Sequence, residues 1–535
     1  MMIHYAVLPA LILQIVPMLE SVMASEGRLW MRNKICLILS LFLMSSVGLS
    51  QTLPVDSDFR SFHNSFIRRL VNQGAYRLLI ENSRPYAIGD LEDSLIDIER
   101  LSALDLRLSD YVAEAIQSYT RHGDRVSLRL DLNSQGDYRE GSAAMSSESF
   151  SGHLFWRPNP RFAVVSSFAF DERLADDPTY TGKVWSGFAG RVDYAYMQFD
   201  LPYFRVYFGR DKTVWGPGRR GNLLLSGNSN AMDMVKLSGG WGPFHYTTIT
   251  AVLDPDEITV SYPDTSVSMR INRYLSAHRL EIKPMNMLTL GFSESVIYGG
   301  VGRQIEFYYT NPLTWYHGEQ LNKNNDDNTF LSFDFSFYPR KGVNLYGEFM
   351  VDDFQIEKKS KGDDEPNELG YIGGIYITDP IKNSNLDLSF EYTRINNWTY
   401  NQGSAWNRYV YDGKIIGHFL GPDRESIYLS LKRWFLWGGW VQLSYERQNI
   451  GVGNVFADWT DPWLFSTGQY EEKFPTGIVE KRDIYGVSVN IFRFQSIQID
   501  LDNFLVGVRN RGNEPHTLET NYEGRLTVSG TFPLL

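Results

Sequence analysis

The chain is 535 residues long with a net charge of −12, and no basic run exceeds a pair such as Arg219-Arg220, which excludes a nucleic-acid partner. Aromatic residues make up 14% while mean hydropathy is −0.28, a combination that argues against a bundle of apolar transmembrane helices and suits a β-protein meeting an interface. The only cysteine is Cys36, so neither a disulfide nor a thiolate-bound metal is expected.

Two short apolar segments open the chain. The first, 6–19, is broken by Pro9 and Pro17. The second starts at Met31 with Arg32 and Lys34, runs apolar from Ile35 to Met44, and closes on Gly48 and Ser50 ahead of Gln51. A charged start, an apolar middle and a small-residue cut site are the parts of a secretory signal. The sequence therefore predicts an N-terminal extension over 1–30, a signal peptide over 31–50 and a mature chain from Gln51.

Residues 51–123 are expected to form a periplasmic helical region. Phe59, Phe62, Phe66 and Leu70 recur at helical spacing, as do Leu91, Leu95 and Ile98. Ser109 is placed to cap a last helix carrying Val112, Ala115, Ile116 and Tyr119.

From Asp124 to the end of the chain the period changes to two. Leu331, Phe333, Phe335 and Phe337 alternate with Ser332, Asp334 and Ser336; Leu386, Leu388, Phe390 and Tyr392 alternate with Asp387, Ser389 and Glu391. The connections alternate as well. Short turns such as 157–161, 201–204, 240–244 and 338–342 are interleaved with long loops at 133–149, 171–190, 211–230, 253–267, 297–329, 354–368, 395–424, 449–482 and 505–521. This predicts an all-β transmembrane barrel of eighteen antiparallel strands over 124–535, in the outer membrane of a Gram-negative cell, with its long loops at the cell surface. Lipid would cover the apolar faces, and closure would satisfy the backbone donors that hydrocarbon cannot. The polar faces carry Asp334, Glu348, Glu391, Glu446 and Asp500, which should point into the lumen with Arg129, Arg394 and Lys432.

The 211–230 loop contains Gly216, Gly218 and Gly221 in the spacing G-x-G-x-x-G. A dinucleotide site of that spacing needs a helix to start inside it, and here Pro217 and the turn-forming end of 222–230 prevent one. The segment reads as a turn in which Pro217 presets φ and Gly218 supplies a positive φ. Near it stand Arg210, Asp211, Trp215, Arg219, Arg220 and Asn222.

The run Gly209-Arg210, then Trp215-Gly216-Pro217-Gly218, then Asn222-Leu223-Leu224-Leu225-Ser226-Gly227-Asn228, resembles the signature of the capsule assembly Wzi family. Val214 and the Arg219-Arg220 pair depart from it. The resemblance implies an eighteen-stranded outer-membrane barrel with a periplasmic helical part, lectin-like and non-enzymatic, that helps assemble capsular polysaccharide and hold it on the cell. On that reading the loop faces outward. Trp215 offers a flat ring to a sugar, and Arg210, Arg219 and Arg220, with Asp211 and Asn222, offer donors and acceptors to an anionic polymer.

The remaining constellations are weaker. The run 227–231 falls short of a nucleophile elbow by its last glycine and its strand–turn–helix context. The run 322–328, NKNNDDN, could gather oxygen ligands for calcium but reads better as a solvated loop tip. Trp398, Trp406, Trp459 and Trp463 suit either sugar plates or an interfacial girdle. No catalytic residue, cofactor or metal is therefore expected. The expected partners are capsular or other surface polysaccharide, outer-membrane lipid and periplasmic export proteins. Two rival functions remain, a solute channel and an outer-membrane hydrolase.

Overall fold

In a computed structural model, the protein is described over residues 61–76, 79–86, 91, 101–120 and 126–534, with breaks at 143, 160, 178–179, 181, 202–203, 263–264, 324, 355–364, 467–469 and 495–496. The expected extension and signal peptide, together with Phe59, Leu95 and Ile98, lie outside the described residues.

Eighteen antiparallel strands close on themselves: β1 (Val126–Arg139), β2 (Met145–Asn159), β3 (Phe162–Asp171), β4 (Phe188–Asp200), β5 (Arg205–Asp211), β6 (Met232–Trp241), β7 (Phe244–Val252), β8 (Thr265–Met285) and β9 (Leu288–Val301) form the first half. The second half is β10 (Asn328–Arg340), β11 (Val343–Asp353), β12 (Glu368–Thr378), β13 (Leu386–Ile395), β14 (Arg424–Trp434), β15 (Trp440–Ile450), β16 (Glu480–Phe494), β17 (Ile497–Arg509) and β18 (Leu518–Pro533). The seam joins β1 to β18, with Leu130 opposite Phe532. Two short extra strands, Val184–Trp185 and Asp256–Tyr262, fold back as hairpins on β4 and β8.

All the short turns fall where the alternation puts them. The long connections are shorter than expected at three places. The stretch 133–149 is mostly the upper parts of β1 and β2, the stretch 253–267 is largely a β-hairpin on β8, and 505–521 shrinks to 510–517. These strand ends carry polar residues on both faces, so they leave no apolar period to read.

Phe292, Phe333, Leu429, Leu431, Leu443 and Val487 are exposed on the outer wall and form its apolar belt. The opposite face of the wall buries Asp334, Glu348, Glu391 and Glu446 in the lumen.

Two helices sit at the short-turn end. They are α1 (Ser61–Asn72) and α2 (Ala103–Thr120). Phe66, Leu70, Leu108 and Val112 form a core that includes Trp434 of β14, whose ring lies 5.7 Å from that of Phe66. Arg69 is fully buried and binds Asp105 of α2 at 2.7 Å, Asp379 at 2.7 Å and Asp387 of β13. A buried guanidinium needs such a set of partners, and removing one leaves an uncompensated charge. The expected cap is corrected: Ser102 Oγ accepts the Asp105 amide at 3.1 Å, while Ser109 lies buried inside α2. The helical region also does more than cover an opening. Its stretch 79–86 climbs into the lumen, where Asn82 donates to Asp334 at 2.8 Å and Ser83 to Glu281 at 2.6 Å.

Candidate functional site

The 211–230 loop does not stand on the outer rim as expected. It folds inward and fills the lumen. Trp215 pairs with Ser83, and Val214 with Arg84, in a two-stranded antiparallel contact, so the loop meets the ascending N-terminal stretch inside the barrel. Gly216 lies at a φ of 118°, and a Cβ there would meet Asn222 Oδ1 at 2.5 Å. The positive φ therefore falls on Gly216 rather than Gly218. Gly218 is needed for close approach, since its Cβ would lie 1.8 Å from Gly221 O.

The wall carboxylates hold this plug by its backbone. Glu348 accepts the Leu223 amide at 3.0 Å and the Leu224 amide at 3.3 Å. Glu391 accepts those of Arg219 at 2.7 Å and Arg220 at 3.0 Å, and also the Tyr346 hydroxyl at 2.9 Å. Charge-assisted bonds of this kind are among the stronger ones in a water-poor interior.

The six site residues predicted from the sequence are thus divided. Trp215 is 1% exposed, and Asp211 and Asn222 are buried, so none of the three presents a surface to a ligand. Asn222 Oδ1 accepts the Gly218 amide at 2.8 Å and braces the turn. The Arg219 guanidinium lies 3.5 Å over the Tyr376 ring. Arg220 bonds Glu446 at 2.7 Å and lies 4.6 Å over Tyr428. Arg210 forms a two-pronged pair with Asp233 on β6 at 2.8 and 2.6 Å. Of the lumenal carboxylates read from the sequence, Glu348, Glu391 and Glu446 hold the plug, whereas Asp334 binds Arg279 at 2.6 Å and Asp500 accepts Asn490 Nδ2 at 2.6 Å.

A third layer covers the plug from the long-loop end. Tyr400 donates to Leu223 O at 2.6 Å, Ser226 Oγ to Gly417 O at 2.5 Å, and Asn228 Nδ2 to Ile415 O at 2.8 Å. The His418 ring packs against Gly221. Burial, helped by the nearby Arg220 charge, holds its pKa down to about 3.

Above this layer the loops after β13 and β15 bring three indoles together. Trp398 lies 5.0 Å from Trp459 and 5.6 Å from Trp463, and Trp459 lies 5.8 Å from Trp463, all edge to face. Trp463 is buried beneath, while Trp398 and Trp459 stay half-exposed. Polar groups surround them. Glu472 accepts Trp398 Nε1 at 3.0 Å, Asn397 Nδ2 at 2.9 Å and Tyr470 Oη at 3.1 Å, and Asp461 accepts Trp459 Nε1 at 2.6 Å. Trp406 lies elsewhere, with its backbone carbonyl accepting Arg273 Nε at 2.7 Å. The sequence singles out the indoles but not Glu472, whose role depends on a loop more than seventy positions away from Asn397.

The other candidates resolve as structure. Ser229 is buried and its hydroxyl donates to the carbonyl of Asn230 at 3.3 Å. In the 322–328 run, Asp326 accepts Ser404 Oγ at 2.8 Å and Asp327 pairs with Arg303, so these carboxylates tie loops together. Among the described residues no group of three or more His, Cys, Asp or Glu could hold a metal ion.

Comparison with known proteins agrees with this architecture. The family model "Capsule assembly protein Wzi" matches residues 114–501. Escherichia coli Wzi, an outer membrane protein involved in Group 1 capsule assembly and a carbohydrate-binding β-barrel, has a similar structure. The TM-score is 0.61 at 12% identity, covering 91% of this chain and all (100%) of that one. The Pseudomonas aeruginosa outer membrane protein OpdK superposes with a TM-score of 0.45 at 12% identity, over 76% of this chain and 99% of that one. No curated protein matches the sequence. The closed barrel with its apolar outer belt is that of a membrane-spanning β-barrel, and the chain belongs to the capsule assembly Wzi family.

Proposed function

We propose that this protein binds a surface polysaccharide at its long-loop end and helps to assemble and hold capsule on the cell, without catalysing a reaction. Family membership supports the role, and E. coli Wzi is itself described as carbohydrate-binding. The observation that carries the reading for this chain is the indole cluster. Half-exposed Trp398 and Trp459, ringed by Glu472, Asp461, Asn397 and Tyr470, combine flat apolar plates with hydrogen-bonding groups. A sugar ring has apolar faces for the first and hydroxyls for the second.

In this reading most of the 210–222 residues serve the site indirectly. Asp211, Trp215, Arg219 and Asn222 keep the plug in place, and the plug supports the loop that bears Trp398. Arg210 and Arg220 keep side chains 35% and 39% exposed and add positive charge for the acidic groups of a polymer. Periplasmic export proteins would meet the short-turn end, where α1 and α2 lie.

The test is deletion of the gene in an encapsulated host, together with a glycan-binding assay on refolded protein. Polymer should still be made and exported but should collect in the medium, and the refolded protein should retain purified capsule. Capsule that stays attached after deletion, with no binding by the pure protein, would overturn the reading. A steady conductance in planar bilayers would then favour the channel.

A further inference from the structure

The connection after β9 meets the loop after β13 near its end, where Asp326 accepts Ser404 Oγ at 2.8 Å, but the rest of it leaves the mouth of the barrel. Residues 302–323 turn down over the outside of the wall. On β8, Arg279 points into the lumen and His278 points out; on β9, Ser293 points in and Glu294 points out. Phe292, two positions from Glu294 on the same outward face, is 49% exposed and belongs to the apolar belt. Above it the outward face turns polar, with Thr248, Ser276, His278, Glu294 and Thr329. Glu294 lies six positions beyond Leu288, the first residue after the short turn. At ~3.3 Å per residue and a tilt of ~40°, that is roughly 15 Å up an apolar band of ~25 Å. An ionisable group facing lipid there needs a cover.

Residues 302–323 supply it. The first amides of the helix Tyr316–Lys323 donate to Glu294, from Tyr316 at 3.0 Å and from His317 at 2.9 Å. His278 reaches the same carboxylate at 3.1 Å. Tyr309 and Tyr316 are fully buried against Tyr274, Val296 and Tyr298 of the wall. Arg303 and the Tyr309 hydroxyl anchor the segment to Asp327.

The other side of the segment carries four large apolar side chains, with exposed Gln304, Asn311, His317 and Asn322 among them. Phe307 is 90% exposed, Leu313 88%, Leu321 69% and Trp315 64%. The backbone amides of its connecting turn are satisfied within the turn. Pro312 has no N–H and its carbonyl accepts the Tyr246 hydroxyl, while the Leu313 and Thr314 amides both bond to Asn311. Hydrocarbon demands that kind of internal satisfaction, and water does not. Lys323, at the far end, keeps its side chain about half-exposed, as an interfacial lysine does.

We propose that residues 302–323 form a strap immersed in the outer leaflet, with Phe307, Leu313, Trp315 and Leu321 among lipid acyl chains. The strap continues the belt of Phe292, Phe333 and Val252 over a wall too polar to face lipid itself. Four large apolar side chains this exposed would otherwise be an aggregation liability.

The test uses single nitroxide labels in the Cys36→Ser background, where no native thiol remains. Cysteine replaces Phe307, Leu313 or Leu321 in turn, with Phe292→Cys as the belt control and Gly512→Cys as the aqueous control. Folded protein, selected by its heat-modifiable gel mobility, is reconstituted in phospholipid vesicles. Power saturation then compares accessibility to oxygen and to a water-soluble nickel chelate. The strap labels should match Phe292→Cys, with an oxygen-to-nickel ratio several-fold above Gly512→Cys. Nickel access like that of Gly512→Cys would overturn the proposal, as would labels reached by neither reagent, which would mark a contact with a second copy or another protein. The substituted side chains point away from the wall. Should one variant fail to fold, the other two decide the outcome, and bimane at the same positions, quenched by brominated lipid tails only if immersed, gives a second reading.

Discussion

Glu348 accepts the main-chain amide of Leu223 at 3.0 Å across 125 positions of sequence. A wall carboxylate and a plug backbone group so far apart in the chain make the loop after β5 part of the barrel interior. Glu391 does the same for Arg219 and Arg220.

Removing one of these acceptors should loosen the plug. In Glu391→Ala, the buried Tyr346 hydroxyl loses its partner at about 1–3 kcal/mol, and two part-buried amides lose theirs at a smaller cost. Hydrogen exchange at 218–225 should quicken by tenfold or more while the strands stay protected. Unchanged exchange would show that the wall does not hold the plug.

The indole cluster should carry affinity. Trp398→Ala and Trp459→Ala should each weaken retention of purified capsule by about tenfold, equivalent to ~1.4 kcal/mol. Trp241→Ala, at an exposed short-turn position, should have no effect. Equal behaviour of all three variants would move the ligand away from the cluster.

Acid should unseat the third layer. The pKa of His418 is held down to about 3 in the folded protein, whereas a free imidazole titrates near ~6.5. The unfolded loop therefore binds the extra proton, so the stability is present above ~6.5 and drains as pH falls toward 3, by up to ~1.4 kcal/mol per unit. Protease cutting within 395–424 should rise between pH 6 and pH 4, and His418→Gln should flatten that rise. An identical pH profile in the variant would remove the histidine from the seat.

Sidedness follows from the connections. Epitope tags inserted at Gly141 or Gly512, where a Cβ would meet nothing within 4 Å, should be reached by antibody on intact cells. Tags at Asn286 or Lys341, in short turns, should need a permeabilised outer membrane. The opposite pattern would invert the topology.

The strands were legible because their register with lipid writes a period of two into the sequence. Leu331 to Phe337 and Leu386 to Tyr392 carry that period, and both lie in strands. The carboxylates Asp334, Glu348, Glu391 and Glu446 were legible as lumenal for the same reason. Their partners were not. Nothing local to Trp215 says that the loop turns inward, because Glu348 and Glu391 come from strands more than a hundred positions later. Ser102 was missed as a cap because the apolar period that marks α2 leaves both serines polar and equally placed. The strap did leave a trace, since Glu294 and His278 sit on outward positions where the apolar alternation should continue.

The four plug groups that meet Glu348 and Glu391 are all N–H groups, a feature common to nineteen of the twenty amino acids. At 219, 220, 223 and 224 a substitution can change shape or charge and still leave those four bonds in place, unless it brings proline. The seat on β11 and β13 has no such freedom, because it needs a carboxylate of the right length at two fixed points. Over evolutionary time the two wall carboxylates should therefore be held, while plug positions such as Arg219 and Arg220, where the chain departs from the family signature, can change without unseating the loop.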